Sequence, residues 1–75
     1  MARMRATSVG DRQCVTISGH LTGRDLRRLE QICGSSLEQE RLRLTLRLRP
    51  GSDMDTPARA FVERLTRRGA IVLFD

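Results

Sequence analysis

Arg41-Leu42-Arg43-Leu44-Thr45-Leu46-Arg47-Leu48-Arg49 alternates strictly between leucine and a polar residue. Successive side chains of an extended chain point to opposite sides, so the stretch reads as a strand with a leucine face and an arginine face. The leucine face must be packed, and the arginine face stays wet or meets an acidic surface. Pro50-Gly51-Ser52-Asp53 is a turn.

Downstream, either Asp55 or Thr56 can cap a helix whose first turn holds Pro57, a residue suited to that place by its fixed φ. Ala58, Phe61, Val62 and Leu65 follow at i, i+3, i+4 and i+7, one buried stripe, and Arg67-Arg68-Gly69 supplies the stop. Ala70 to Phe74 is wholly apolar. Such a strand is expected in the interior, or covered by a neighbour.

Upstream, Arg5 to Ser18 reads as two strands around Gly10-Asp11, with Val15 and Ile17 facing the core and Cys14, Thr16 and Ser18 facing away. A helix over 22–33 follows. Thr22 is its N-cap, Asp25 completes a variant capping box, Leu26, Leu29, Ile32 and Cys33 form the inner stripe, and Gly34 ends it. The order ββαβαβ predicts one α/β domain over 1–75, a small mixed four-stranded sheet with both helices on one face.

At 75 residues the chain makes one domain, and a chain of that size buries only about 60–65% of the surface its unfolded form exposes. Cys14 and Cys33 are the only cysteines, with no CxxC or Cys/His cluster beside them, so neither a zinc site nor a disulfide framework is expected. No cofactor is implied. The N-terminal residues carry charge without an apolar segment behind it, and the longest apolar run is Ala70 to Phe74. A cytoplasmic protein with reduced thiols and no membrane insertion is the expectation.

The net charge is +5, and all fourteen basic residues are arginine. A total absence of lysine looks more like the coding bias of a GC-rich genome than like selection for a ligand. Arginine neutralises phosphate well, yet only Phe61 and Phe74 are aromatic, and single-stranded bases need aromatic platforms.

Val15-Thr16-Ile17-Ser18-Gly19-His20-Leu21-Thr22-Gly23, the strand Leu42 to Leu48, Asp55-Thr56-Pro57-Ala58, Phe61, Leu65 and Arg68-Gly69-Ala70 occur in an order and at distances that resemble the STAS domain, the fold of bacterial anti-sigma factor antagonists. The resemblance runs from about Cys14 to Asp75. It implies a protein-interaction module without enzymatic activity, acting as an antagonist or as a subunit of a regulatory or transport complex. It also implies docking through the start of the second helix and the adjacent loop, here Ser52, Asp53, Met54, Asp55, Thr56 and Arg59, with Met54 as an adaptable apolar anchor. The phosphorylation motif is degenerate. Pro57 stands where the family carries its phosphorylated serine or threonine, Ala58 replaces the following glycine, and Arg47 stands where an acidic residue is common. Thr56 keeps a hydroxyl at the helix start, where it serves either as an ordinary cap or as a poor substitute phosphosite.

Relatives continue past the strand matching Ala70 to Phe74 into another helix. The resemblance therefore leads to an expected homodimer that covers apolar surface on that strand.

Other constellations are weaker. His20 with Asp25 or Asp11 has no nucleophile at a supporting spacing, and Asp53 with Asp55 suits a cation no better than a cap. Arg41, Arg43, Arg47 and Arg49 form a solvated face, a phosphate-binding face or a face for an acidic partner. The alternative function is thus an arginine-rich nucleic-acid-binding module using the open sheet face.

Overall fold

The computed structural model describes residues 2–74, apart from the side chain at position 35. In chain order the elements are β1 (Arg3–Val9), β2 (Arg12–Ser18), β3 (His20–Leu21), a 3-10 turn (Gly23–Asp25), α1 (Leu26–Cys33), a second 3-10 segment (Gly34–Glu38), β4 (Leu44–Leu48), β5 (Asp53–Met54), α2 (Thr56–Arg67) and β6 (Ile71–Phe74).

Gly10 at φ 61° occupies the first central position of the two-residue turn between β1 and β2, which suits the twist of an antiparallel hairpin. The main sheet runs β1-β2-β4-β6, with β2, β4 and β6 parallel. A parallel neighbour requires a crossover, and α1 and α2 supply the two. Both steps advance across the sheet in one direction, so crossovers of one hand put both helices on the same face.

Register then determines what that face contains. Val15 stands beside Leu46, and Leu46 beside Val72; Ile17 stands beside Leu48. α1 lays Leu29 and Cys33 over them, and α2 adds Ala58, Phe61, Val62 and Leu65, which gives one continuous core. Leu42, Leu44, Leu46 and Leu48 are 1%, 0%, 0% and 5% exposed, so all four leucines of the alternating stretch are interior.

The strand itself is shorter than the alternation. β4 covers only Leu44–Leu48, because the Leu42 N–H is donated to Arg68 O (2.9 Å) at the end of α2 rather than to a strand. Pro50, at the other end, has no N–H for a ladder. Arg41 and Arg43 therefore precede the strand. The helix expected over 22–33 likewise divides into the 3-10 turn and α1.

The largest departure concerns β6. It is the last strand in the sheet order, and among the described residues no strand pairs with its outer edge. Ile71 and Leu73 are 44% and 48% exposed, on the face the helices do not cover, and Phe74 is 73% exposed. The expectation was a strand in the interior or covered by a neighbour; of these, the interior position is not what the fold gives, since β6 is an edge strand. Among the described residues no helix is long and apolar enough to cross a membrane.

Two outcomes test this architecture. Leu46→Ala should cost about 2–5 kcal/mol, against a total of only about 4–11 kcal/mol for a domain of this length, and a denaturant titration reads it. Cys14 is half-buried and alternates onto the uncovered face, whereas Cys33, the last residue of α1, is buried between that helix and the sheet, where burial pushes its thiol up to about 11. Ellman's reagent at pH 8 should modify Cys14 in the native protein and Cys33 only on unfolding; equal rates would contradict the layering.

Candidate functional site

Two loops leave the carboxyl ends of the parallel strands β2 and β4, the end of an open α/β sheet where crevices form. They are tied together over their whole length. β3 and β5 make a two-stranded parallel sheet, with His20 beside Asp53 and Leu21 beside Met54. The Asp53 N–H is donated to Gly19 O (3.2 Å) and the Asp55 N–H to Leu21 O (3.0 Å). The Ser52 hydroxyl is donated to Ile17 O at 3.3 Å.

Asp55 closes this junction. As N-cap of α2 it accepts the Ala58 N–H at 2.9 Å on one carboxylate oxygen, and on the other it accepts the Gly23 N–H at 3.0 Å from the start of the first helical segment. One side chain thus joins two helix starts. Pro57 lies against Gly23 so closely that a Cβ there would meet the proline Cβ at 3.3 Å. Hydrogen bonds from Ala58 and then Gly23 hold the Asp55 carboxyl below its ordinary value, partly offset by burial and assisted by the nearby His20. Beside it, Asp25 accepts from the Thr22 N–H (2.9 Å) and the Thr22 hydroxyl (3.1 Å).

The six residues expected to meet a partner fall into two groups. Ser52, Met54 and Asp55 are half-buried and already engaged: Ser52 with the β2 carbonyl, Met54 packed against the core, Asp55 with the two amides. Asp53, Thr56 and Arg59 are exposed on the outside of the same junction. Asp53 pairs with His20 Nδ1, also exposed. The sequence offered only Asp25 or Asp11 as imaginable partners of His20, without supporting spacing, because the short β3–β5 ladder that joins it to Asp53 has no pattern of its own in two residues per strand. Asp11 instead pairs with Arg43. Among the described residues, no three His, Cys, Asp or Glu side chains gather as a metal would require.

The arginines expected to share one face do not all converge. Arg47 and Arg49 line a groove together with Arg3 and Arg5 of β1. Arg43 is drawn to the hairpin turn by Asp11. Arg41 lies at the opposite end of the strand, its Cγ only 3.0 Å from where a Gly69 Cβ would stand. Arg3 and Arg5 were missed as members of this patch because they meet Arg47 only through the antiparallel register of β1 on β2.

Replacing Asp55 by alanine removes both amide contacts and should lower the melting midpoint by about 4–8 °C, the shift that losing one cap produces in a domain of this size. The Asp55→Asn variant keeps one acceptor oxygen and should recover part of it. The native carboxyl titrates below the unfolded one, so its contribution is present above the unfolded value of about 4 and is lost as pH falls through the folded value. Melts at pH 7 and pH 3 should therefore differ more for the native chain than for Asp55→Asn.

No family model, curated protein or solved structure matches this chain, and the geometry carries the functional argument alone.

Proposed function

We propose that this chain is a non-enzymatic protein-docking module of STAS-like type, related in role to an anti-sigma factor antagonist or a subunit of a regulatory or transport complex, working in the cytoplasm. It engages its partner through the outer side of the junction at the start of α2. The observation that carries the proposal is the division of labour there. Ser52, Met54 and Asp55 hold the loops in one arrangement, which leaves Asp53, Thr56 and Arg59 displayed with His20 on a preorganised surface. Preorganisation lowers the ordering cost of association.

The same geometry argues against a phosphate switch at Thr56. Pro57 has no N–H to offer, the Ala58 N–H is already taken by Asp55, and the carboxylates of Asp53 and Asp55 would repel a dianion. After incubation with a kinase-type anti-sigma factor and ATP, intact-mass measurement should find no stoichiometric phosphate on Thr56.

Self-association belongs to this proposal as well. β6 is an edge strand with Phe74 exposed on its helix side, and a second copy pairing edge to edge covers both features. Sedimentation at micromolar concentration should give a dimer, and a Phe74→Glu variant a monomer.

For the docking surface, a photoreactive amino acid placed at Thr56 or Arg59 should crosslink one protein in the native host, while the same group at Arg27 on α1 should not. Asp53→Arg should then weaken the purified pair by about tenfold or more. Equal crosslinking at all three positions, or crosslinks to nucleic acid, would overturn the assignment.

A further inference from the structure

The sheet face opposite the helices has a composition of its own. Alternation and register place Arg3, Arg5, Thr7 and Val9 of β1 there, with Arg12, Cys14, Thr16 and Ser18 of β2, Thr45 and Arg47 of β4, and Ile71 and Leu73 of β6. Arg49 follows just beyond β4 and lines the same groove. Among these residues there is no carboxylate. Running across the sheet, one row reads Arg5, Thr16, Arg47, Leu73 and the next Thr7, Cys14, Thr45, Ile71. Small side chains on β2 therefore form a trough between two arginine banks, Arg3 with Arg5 and Arg47 with Arg49, and an apolar margin lies beyond the second bank.

We infer that this face is a second docking surface, separate from the junction at α2, and that its occupant is an acidic amphipathic helix of a partner protein. Four strands at about 4.8 Å spacing give a width of about 14 Å, which matches one helix of about 10–12 Å diameter. Carboxylates along one side of that helix meet the arginine banks, where bidentate pairing favours Arg over any other cation. Leucines or isoleucines on its adjoining side cover Ile71 and Leu73, which water otherwise wets. The layer also completes the fold, since parallel strands such as β2, β4 and β6 are normally covered on both faces.

A nucleic acid fits the charge but not the rest. No aromatic side chain is on this face for bases to stack upon, and a phosphate backbone offers nothing apolar to Ile71 and Leu73.

The probe is a synthetic helical peptide of Glu, Ala and Leu, with carboxylates along one side and leucines along the adjoining one, compared with a scrambled peptide of the same composition and with a DNA duplex. Fluorescence anisotropy should give saturable binding of the patterned peptide, at least about tenfold tighter than the scrambled one, and amide shifts should concentrate on Cys14, Thr16 and Thr45. Arg5→Glu with Arg47→Glu should weaken it by about tenfold or more, and Leu73→Ser by a smaller factor. If the charge reversals unfold the chain, Arg5→Gln with Arg47→Gln serves the same purpose. Equal binding of the scrambled peptide, shifts centred on Thr56 and Arg59, or tighter and steeply salt-dependent binding of the duplex would each overturn the inference.

Discussion

β4 has a strand on each side and the helices over one face, so its leucines are the contact through which every other element is held. Leu44 and Leu46 are fully buried, and the row of Leu46 runs through Val15 on one side and Val72 on the other. A slip of one residue would send those leucines to the arginine face and the arginines into the core, a cost far beyond the total stability of so small a domain. The register of β2 and β6, and hence the positions of α1 and α2, follow from that single alternation. So does the arginine face, since Arg47 can only point where Leu46 does not.

At the carboxyl ends of these strands a different constraint operates. The loops are short, and their backbone polar groups must be satisfied close to a packed core. Pairing β3 with β5 and placing Asp55 across two helix starts does this with hydrogen bonds that reach from position 23 to position 58. The consequence for function is that the groups most reactive on paper are consumed by structure. Asp55 caps, Asp25 holds Thr22, and Cys33 is buried with its thiol pushed up to about 11. What is left on the outside, Asp53, His20, Thr56 and Arg59, is suited to recognition.

The elements with strong periodicity were legible. The leucine alternation, the stripe Ala58, Phe61, Val62 and Leu65, and the hairpin around Gly10 all rest on local patterns that tertiary packing reinforced. Legibility failed where pairing is long-range. β3 and β5 have two residues each, too few for a pattern, so the link between His20 and Asp53 was invisible. The run Ile71-Val72-Leu73-Phe74 implied burial on both sides, but a strand's place in the sheet order is not written in its own residues. Arg41 and Arg43 obeyed the alternation but precede the strand, because Leu42 is bonded to the end of α2; the Arg43 carbonyl still accepts the Gln13 N–H, while its side chain is held by Asp11 at the hairpin turn.

The exposed edge and the arginine face oppose each other in a way that bears on both proposed associations. With a net charge of +5, copies of the chain repel, and arginine next to an apolar edge discourages indiscriminate strand pairing. If two β6 strands pair, Arg47 on each copy lies one strand inward, so the facing arginines are separated by three strand spacings, about 14 Å. That exceeds the Debye length of about 8 Å at physiological ionic strength, and most of the repulsion is then screened. The pairing is held mainly by backbone hydrogen bonds and Phe74, which salt leaves intact. An acidic helix on the open face depends instead on contacts between opposite charges, which salt weakens. The two associations therefore respond to ionic strength in opposite directions, self-association strengthening and the acidic partner loosening as salt rises. Because Ile71 and Leu73 lie on the open face while Phe74 lies on the helix side, the two need not compete for the same side chains.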